Sequence, residues 1–184
     1  MPRHGQLGAT ELLARDLDGT LTFALDSVLL FNASLVLERA SLTVGQRILR
    51  SQLGPLAARL TSQRSFRWQF AQIFSDQHPL SDDEAADHWS LLAYDNGHRQ
   101  LHRLIYYLHE RVIYAERWKR ALRNWPGRLE LAWAEQDPIC TDAVPRAVRE
   151  LRPQMPLTRL PGVGHYPQLE DPKASIEVIE RLAS

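Results

Sequence analysis

Apolar positions first recur at helical spacing between Thr10 and Asp18, where Leu12, Leu13 and Leu17 line up and Glu11 stands four residues before Arg15. Residues three or four apart share a helix face, and a Glu–Arg pair at that spacing supports the turn between them. Thr10 can cap this helix, and Gly19 can end it by adopting left-handed backbone. The pattern then changes. Ser27 to Ser34 reads SVLLFNAS, a short apolar run with a β-branched residue and an aromatic, as expected of a strand buried on both faces of a parallel sheet.

From about Leu37 to Asn124 the spacing is helical again. Leucines spaced through TVGQRILRSQLGPLAARL are interrupted at Gly54-Pro55, and Phe66, Phe70 and Phe74 fall on one face, as cap-core residues would. Ser81-Asp82-Asp83-Glu84 is a capping box that opens a helix to about Tyr94. Asp95-Asn96-Gly97 is a turn, and a long helical pattern follows through Leu101, Leu104, Ile105, Leu108, Trp118 and Leu122, stopped by Trp125-Pro126-Gly127. The last third alternates: RLELAWAEQDP as strand and acidic loop, DAVPRAVRELRP as helix, PLTRLPGVGHYP as strand and loop, DPKASIEVIERLA as helix. Pro145 is tolerable in a first turn. Strand–helix alternation predicts an α/β fold, a small parallel sheet with helices, and the helical block reads as an insertion over it.

Charge narrows the function classes. Lys and Arg number 22 and Asp and Glu 22, so no net field attracts nucleic acid or a membrane surface. No apolar run approaches the roughly 20 residues of a membrane helix, and MPRHGQLGA lacks the apolar stretch of a secretory signal. One cysteine, Cys140, excludes an internal disulfide and fits a small buried thiol in a reducing compartment. The expectation is a cytoplasmic protein with no cofactor and no metal. His98, His102 and His109 lie near helical spacing, but a zinc site needs further ligands.

Two loops carry the chemistry. In open parallel sheets reactive groups collect at the C-terminal ends of strands. Asp137 follows LELAWAEQ, and His165 follows LTRLPGV between Gly164 and Tyr166. An acid that accepts from Nδ1–H would fix the imidazole tautomer and leave Nε2 as a base, the supporting half of a nucleophile–His–acid triad.

These residues also carry a resemblance. LPGVGHYPQLEDP (Leu160 to Pro172) resembles the histidine loop of α/β-hydrolases, G-x-G-H followed by E-x-P at the last helix. WAEQDPIC resembles the acid loop after the seventh strand, with Ala134 where that family often has glycine, and SVLLFNAS resembles the sixth strand, after which a helical cap is inserted. The likeness is to the epoxide-hydrolase and haloalkane-dehalogenase branch, and HYPQLEDP is most similar to mesoderm-specific-transcript-like hydrolases. It implies a C-terminal part of an α/β-hydrolase core (1–36 and 126–184) with a helical cap (37–125). It implies catalytic roles for Asp137 and His165, a pocket position for Asn32 at the end of its strand, and a small-molecule substrate. Cap tyrosines often polarise an epoxide oxygen in that branch; Tyr94, Tyr106, Tyr107 and Tyr114 are available.

The resemblance also exposes a deficit. The branch writes its nucleophile elbow H-D-x-G, and counting back from ATELLAR puts Gly5 on the elbow glycine, Arg3 on the nucleophile and Pro2 on the histidine. Arginine cannot attack carbon. The chain thus reads as cut at the elbow, inactive alone, with strand 28–32 left as an exposed edge prone to self-association. Two alternatives stand beside this reading. One is a non-enzymatic interaction remnant of a hydrolase. The other is a phosphatase of the haloacid-dehalogenase type, whose nucleophile loop D-x-D-G-T matches Asp16-Leu17-Asp18-Gly19-Thr20. That loop needs an apolar strand running into its first Asp, whereas Arg15 precedes Asp16.

Overall fold

The computed structural model describes residues 5–32 and 42–183. Among these residues three strands, β1 (Ser27–Phe31), β2 (Arg128–Ala134) and β3 (Leu157–Leu160), form one sheet in the order β1-β2-β3. Both pairings are parallel, with Leu30 opposite Leu131 and Ala132 opposite Thr158. α1 (Gly5–Leu17) precedes the sheet. Among the described residues seven α-helices lie between β1 and β2: α2 (Val44–Arg50), α3 (Gly54–Leu60), α4 (Gln63–Ala71), α5 (Asp82–Ala93), α6 (Leu101–Leu104), α7 (Tyr107–Ile113) and α8 (Ala115–Asn124). α9 (Ala143–Leu151) connects β2 to β3, and α10 (Pro167–Glu170) and α11 (Pro172–Ala183) close the described chain. The insertion boundary read at 36/37 lies outside the described residues, as do Pro2 and Arg3. Gly5 opens α1.

Local chemistry explains three of the helix starts. Thr43, Ser62 and Ser81 each cap the following helix with their side chain, and Gln46, Ser65 and Glu84 return the bond to the cap's own N–H. Two otherwise unsatisfied donors are thereby used at each start. The long helix expected after Gly97 is instead broken into a 3₁₀ segment over 94–100 followed by α6, α7 and α8. Asp95 and Asn96 take left-handed backbone (φ 47° and 59°), which their short polar side chains tolerate. Tyr114 ends α7 and starts α8 at φ −98°, ψ 8°. The break lets Leu108 and Trp118 both reach buried positions.

β2 is the centre of the molecule. Leu129, Leu131 and Trp133 face a core built from Leu13 of α1, Trp118 and Leu122 of α8, Trp125, and Val144 and Val148 of α9. Ala132 and Ala134 face the other way, toward Leu160, Val163 and Val178 of α11. Burial on both faces is what an uninterrupted apolar run predicts for an inner parallel strand. Trp133 is 1% exposed, and truncating such a side chain to Ala costs about 3–5 kcal/mol.

The DLDGT stretch is the end of α1. Asp18 N and Thr20 N bond back to Ala14 O and Arg15 O, and Gly19 adopts φ 66°. The Trp125 indole N–H donates to Asp16 (2.7 Å), and the guanidinium groups of Arg117 and Arg120 donate to Asp18. Both carboxylates join α1 to α8 and its C-terminal end. Neither stands at a strand end, so the phosphatase reading has no structural counterpart.

Candidate active site

The ends of the three strands converge. Beyond β2 the chain stays registered with β3 and its loop, through Glu135 N to Leu160 O (3.1 Å) and Gln136 N to Val163 O (2.9 Å). It then turns on Asp137. One carboxylate oxygen, Oδ1, accepts from Ile139 N (2.8 Å) and Cys140 N (2.9 Å), a turn that an Asp side chain builds by substituting for backbone. The other, Oδ2, meets His165 Nδ1 at 2.8 Å. The Asp137 side chain is wholly buried, whereas that of His165 is 19% exposed. Among the described residues none bonds His165 Nε2. The sequence-predicted acid and base are therefore within hydrogen-bond reach of each other, with the second imidazole nitrogen left over.

The histidine loop is held from three directions. The backbone N–H of His165 donates to Ile73 O (2.9 Å) in the loop after α4. Glu170, 6% exposed, accepts from Ser75 N (2.9 Å) and Gly164 N (2.7 Å) on Oε2 and from Tyr166 N (3.0 Å) on Oε1. A Cβ at Gly164 would fall 2.7 Å from Ser75 N and 2.8 Å from Glu170 Oε1, so this close approach requires glycine. Asn32 supplies the third hold. It is fully buried at φ 39°; its amide Nδ2 donates to Gly164 O (3.0 Å) and its Oδ1 accepts from Ala134 N (2.7 Å). The sequence reading gave Asn32 to a substrate pocket. Both ends of its amide bond the backbone of the two neighbouring strand ends. Glu170 was visible only as the Glu of E-x-P, with no signal for its partner Ser75, 95 residues away.

Aromatic rings wall the histidine. Tyr166 meets the His165 ring edge-on at 5.1 Å and packs against Phe70 and Phe74 of the insertion at 5.4 and 5.8 Å. Burial raises the Tyr166 hydroxyl pKa above its ordinary range, and the nearby Tyr107 and Asp137 add to the rise. Of the four cap tyrosines, Tyr94, Tyr106 and Tyr114 are exposed. Tyr107 packs against the main core; burial raises its pKa, Arg111 offsets part of the rise, and Cys140 adds to it. Two open grooves lie elsewhere, among the helices between β1 and β2. One runs along α4 past Arg64, Arg67 and Trp68, and another lies between Pro55 and His102; neither contains Asp137, His165 or Asn32.

Among the described residues, Asp137, Cys140 and His165 form the group that could offer a metal three ligand atoms, all within 4.8 Å of one another. Asp137 already accepts three N–H donors and His165 Nδ1 is one of them. An ion placed between Asp137 Oδ2 and His165 Nδ1 would have to replace the hydrogen bond that joins them. His98, His102 and His109 are not gathered into such a group. Among the described residues no helix is long and apolar enough to cross a membrane.

No protein-family model matches the chain. LipZ of Mycobacterium tuberculosis strain H37Rv, named as a hydrolase, is 53% identical over 168 residues, which is 91% of this chain and 58% of LipZ. The mouse mesoderm-specific transcript protein is 26% identical over 178 residues, 92% of this chain and 52% of that protein. The chain thus spans between about half and three-fifths of the length of these curated relatives. Among solved structures, an α/β-hydrolase-fold protein of Burkholderia ambifaria superposes with TM-score 0.70 at 18% identity, covering 94% of this chain and 62% of that one. The 2-hydroxy-6-oxo-6-phenylhexa-2,4-dienoate hydrolase of Rhodococcus sp. strain RHA1 superposes with TM-score 0.68 at 15% identity, covering 98% and 61%. The chain has the α/β-hydrolase fold, and 91% of it is similar to LipZ.

Proposed function

We propose that Asp137 and His165 are the acid–base half of a hydrolase active site of the epoxide-hydrolase and haloalkane-dehalogenase branch, and that its nucleophile lies outside the described residues. The observation that carries this reading is the 2.8 Å contact between His165 Nδ1 and Asp137 Oδ2 at adjacent strand ends. With Nδ1–H held by a buried carboxylate, Nε2 keeps its lone pair and can accept a proton. In the two-step reaction of that branch, a carboxylate attacks carbon and is left as an ester, as the carbon–halogen bond breaks to release halide or the epoxide C–O bond opens to an alkoxide that takes up a proton. Water then attacks the ester carbonyl while giving its proton to His165 Nε2. Asp137 stabilises the imidazolium, and the proton returns as the product alcohol leaves.

The branch assignment is supported by HYPQLEDP and by the likeness to the mesoderm-specific transcript protein. Tyr107, the inward cap tyrosine, is our choice for the group that polarises a substrate oxygen. The ring wall of Tyr166, Phe70 and Phe74 suits an apolar small molecule. Arg3, which the resemblance puts at the nucleophile position, cannot form the ester.

The purified chain is therefore expected to hydrolyse p-nitrophenyl acetate slowly and without saturation, by water activation. It should show no steady turnover of epoxides or haloalkanes, which need the carboxylate. His165→Ala should remove most of the acetate hydrolysis, and Asp137→Asn should reduce it. Acetate hydrolysis unchanged in His165→Ala would end the base assignment. Saturable epoxide turnover abolished by His165→Ala would show that a nucleophile was overlooked.

A further inference from the structure

We propose that Glu170 is a positioning residue for His165, a buried carboxylate that locks the cap-side loop at Ser75 to the histidine loop and so sets the imidazole against Asp137. The inference rests on the Asp137–His165 reading and deepens it. The residues on either side of His165, Gly164 and Tyr166, both donate their backbone N–H to this one carboxylate, at 2.7 and 3.0 Å. A third donor, Ser75 N at 2.9 Å, comes from the insertion, and His165's own N–H goes to Ile73 O at 2.9 Å. The backbone of residues 164–166 is thus pinned to residues 73–75 through the Glu170 side chain and one backbone hydrogen bond.

Charge matters here as much as shape. Three N–H groups converge on two oxygens, and a carboxylate has acceptor sites for all of them. A glutamine keeps one oxygen. If that oxygen serves Ser75 and Gly164, its NH₂ faces the Tyr166 N–H, donor against donor. If it serves Tyr166, two donors are stranded. Either way the loop loses a hold beside His165. An aspartate, one methylene shorter, cannot span both sides. None of these changes touches Asp137, His165 or a buried apolar side chain. Glu170→Gln therefore separates positioning from folding.

The test uses proton NMR of the full chain. The wild type should show a downfield, slowly exchanging imidazole N–H, assigned to His165 Nδ1 by its loss in His165→Asn. In Glu170→Gln that signal should broaden or exchange at least tenfold faster, while far-ultraviolet circular dichroism and a cooperative melt are retained. A signal unchanged in shift and exchange would overturn the role of Glu170 alone. A wild type lacking the signal would instead overturn the Asp137–His165 pair and this inference with it. Native-state amide exchange of the wild type gives a check that needs no variant. Ser75, Gly164 and Tyr166 should open together, with protection within about threefold of one another, because they share one acceptor. Ser75 exchanging more than tenfold faster than Gly164 would refute the lock.

Discussion

Asn32 shows how one side chain can tie two strand ends together. Its Oδ1 satisfies Ala134 N and its Nδ2 satisfies Gly164 O, so the end of β1 ties the acid-bearing strand to the histidine loop. Its φ of 39° is one that asparagine adopts more readily than other side-chain-bearing residues. Asn32→Ala should strand a buried N–H and a buried C=O and strain the backbone. Each stranded group costs about 1–3 kcal/mol, so a loss of roughly 2–6 kcal/mol is expected in urea unfolding. Asn32→Gly frees the backbone but restores neither bond, and should recover only about 1 kcal/mol of that loss. Equal stability of all three proteins would show that the bonds carry nothing. At this scale the sequence told Asp137 and His165 apart from the other carboxylates and histidines because each follows an apolar strand. It could not tell what Asn32 and Glu170 do. Their partners lie 102 and 132 residues away for Asn32 and 95 for the insertion side of Glu170, and no local pattern encodes such distances.

Between elements, the clearest electrostatic structure is the contact of α1 with α8. Burial alone would raise the Glu11 pKa, but hydrogen bonds from Arg117, Trp118 and Arg15 outweigh it and hold the carboxyl below its ordinary value. Hydrogen bonds from Arg117 and Arg120 lower Asp18 as well. A carboxyl whose folded pKa lies below its unfolded one stabilises the fold at pH values above the unfolded pKa, about 4, and loses that contribution as pH falls through the folded value. The melting temperature should therefore be insensitive to these two groups between pH 7 and 5 and fall in acid. In a Glu11→Gln, Asp18→Asn double variant it should start lower at pH 7 and fall less steeply below pH 4. Salt should narrow the difference at pH 7, because the pairs are partly exposed and screened. Parallel acid limbs in both proteins would remove the clasp from the stability of the fold. Elements of this kind were legible where chemistry is local. Ser81 and Glu84 announce α5, and the apolar runs announce β1, β2 and β3. The division of the long pattern after Gly97 was not legible, because no proline or glycine marks Tyr114. The position of that break follows from which residues must reach the core.

The whole molecule has one feature that a small sheet cannot avoid. β1 is at the edge, paired with β2 alone among the described strands. In a parallel strand the N–H and C=O of one residue point to the same side, and successive residues alternate. Asn32 N bonds Ala132 O, so Leu30 and Val28 also turn toward β2, and Leu29 turns outward. The faces of the strand have cover: Val28 packs against the main core, and Leu29 against the cluster that includes Val178 of α11. Among the described residues, what lacks a partner is the lateral edge at Leu29. Burying such an edge against another chain gains hydrogen bonds at little steric cost, which is why exposed edges template association. We therefore expect self-association through β1, growing with concentration in sedimentation velocity. Amide exchange should report it at single residues. Leu30, bonded within the sheet, should be protected at every concentration, whereas Leu29 should exchange fast when dilute and slow as the chain associates. A monomer at all concentrations, with Leu29 protected as well as Leu30, would mean that another part of the protein already covers this edge.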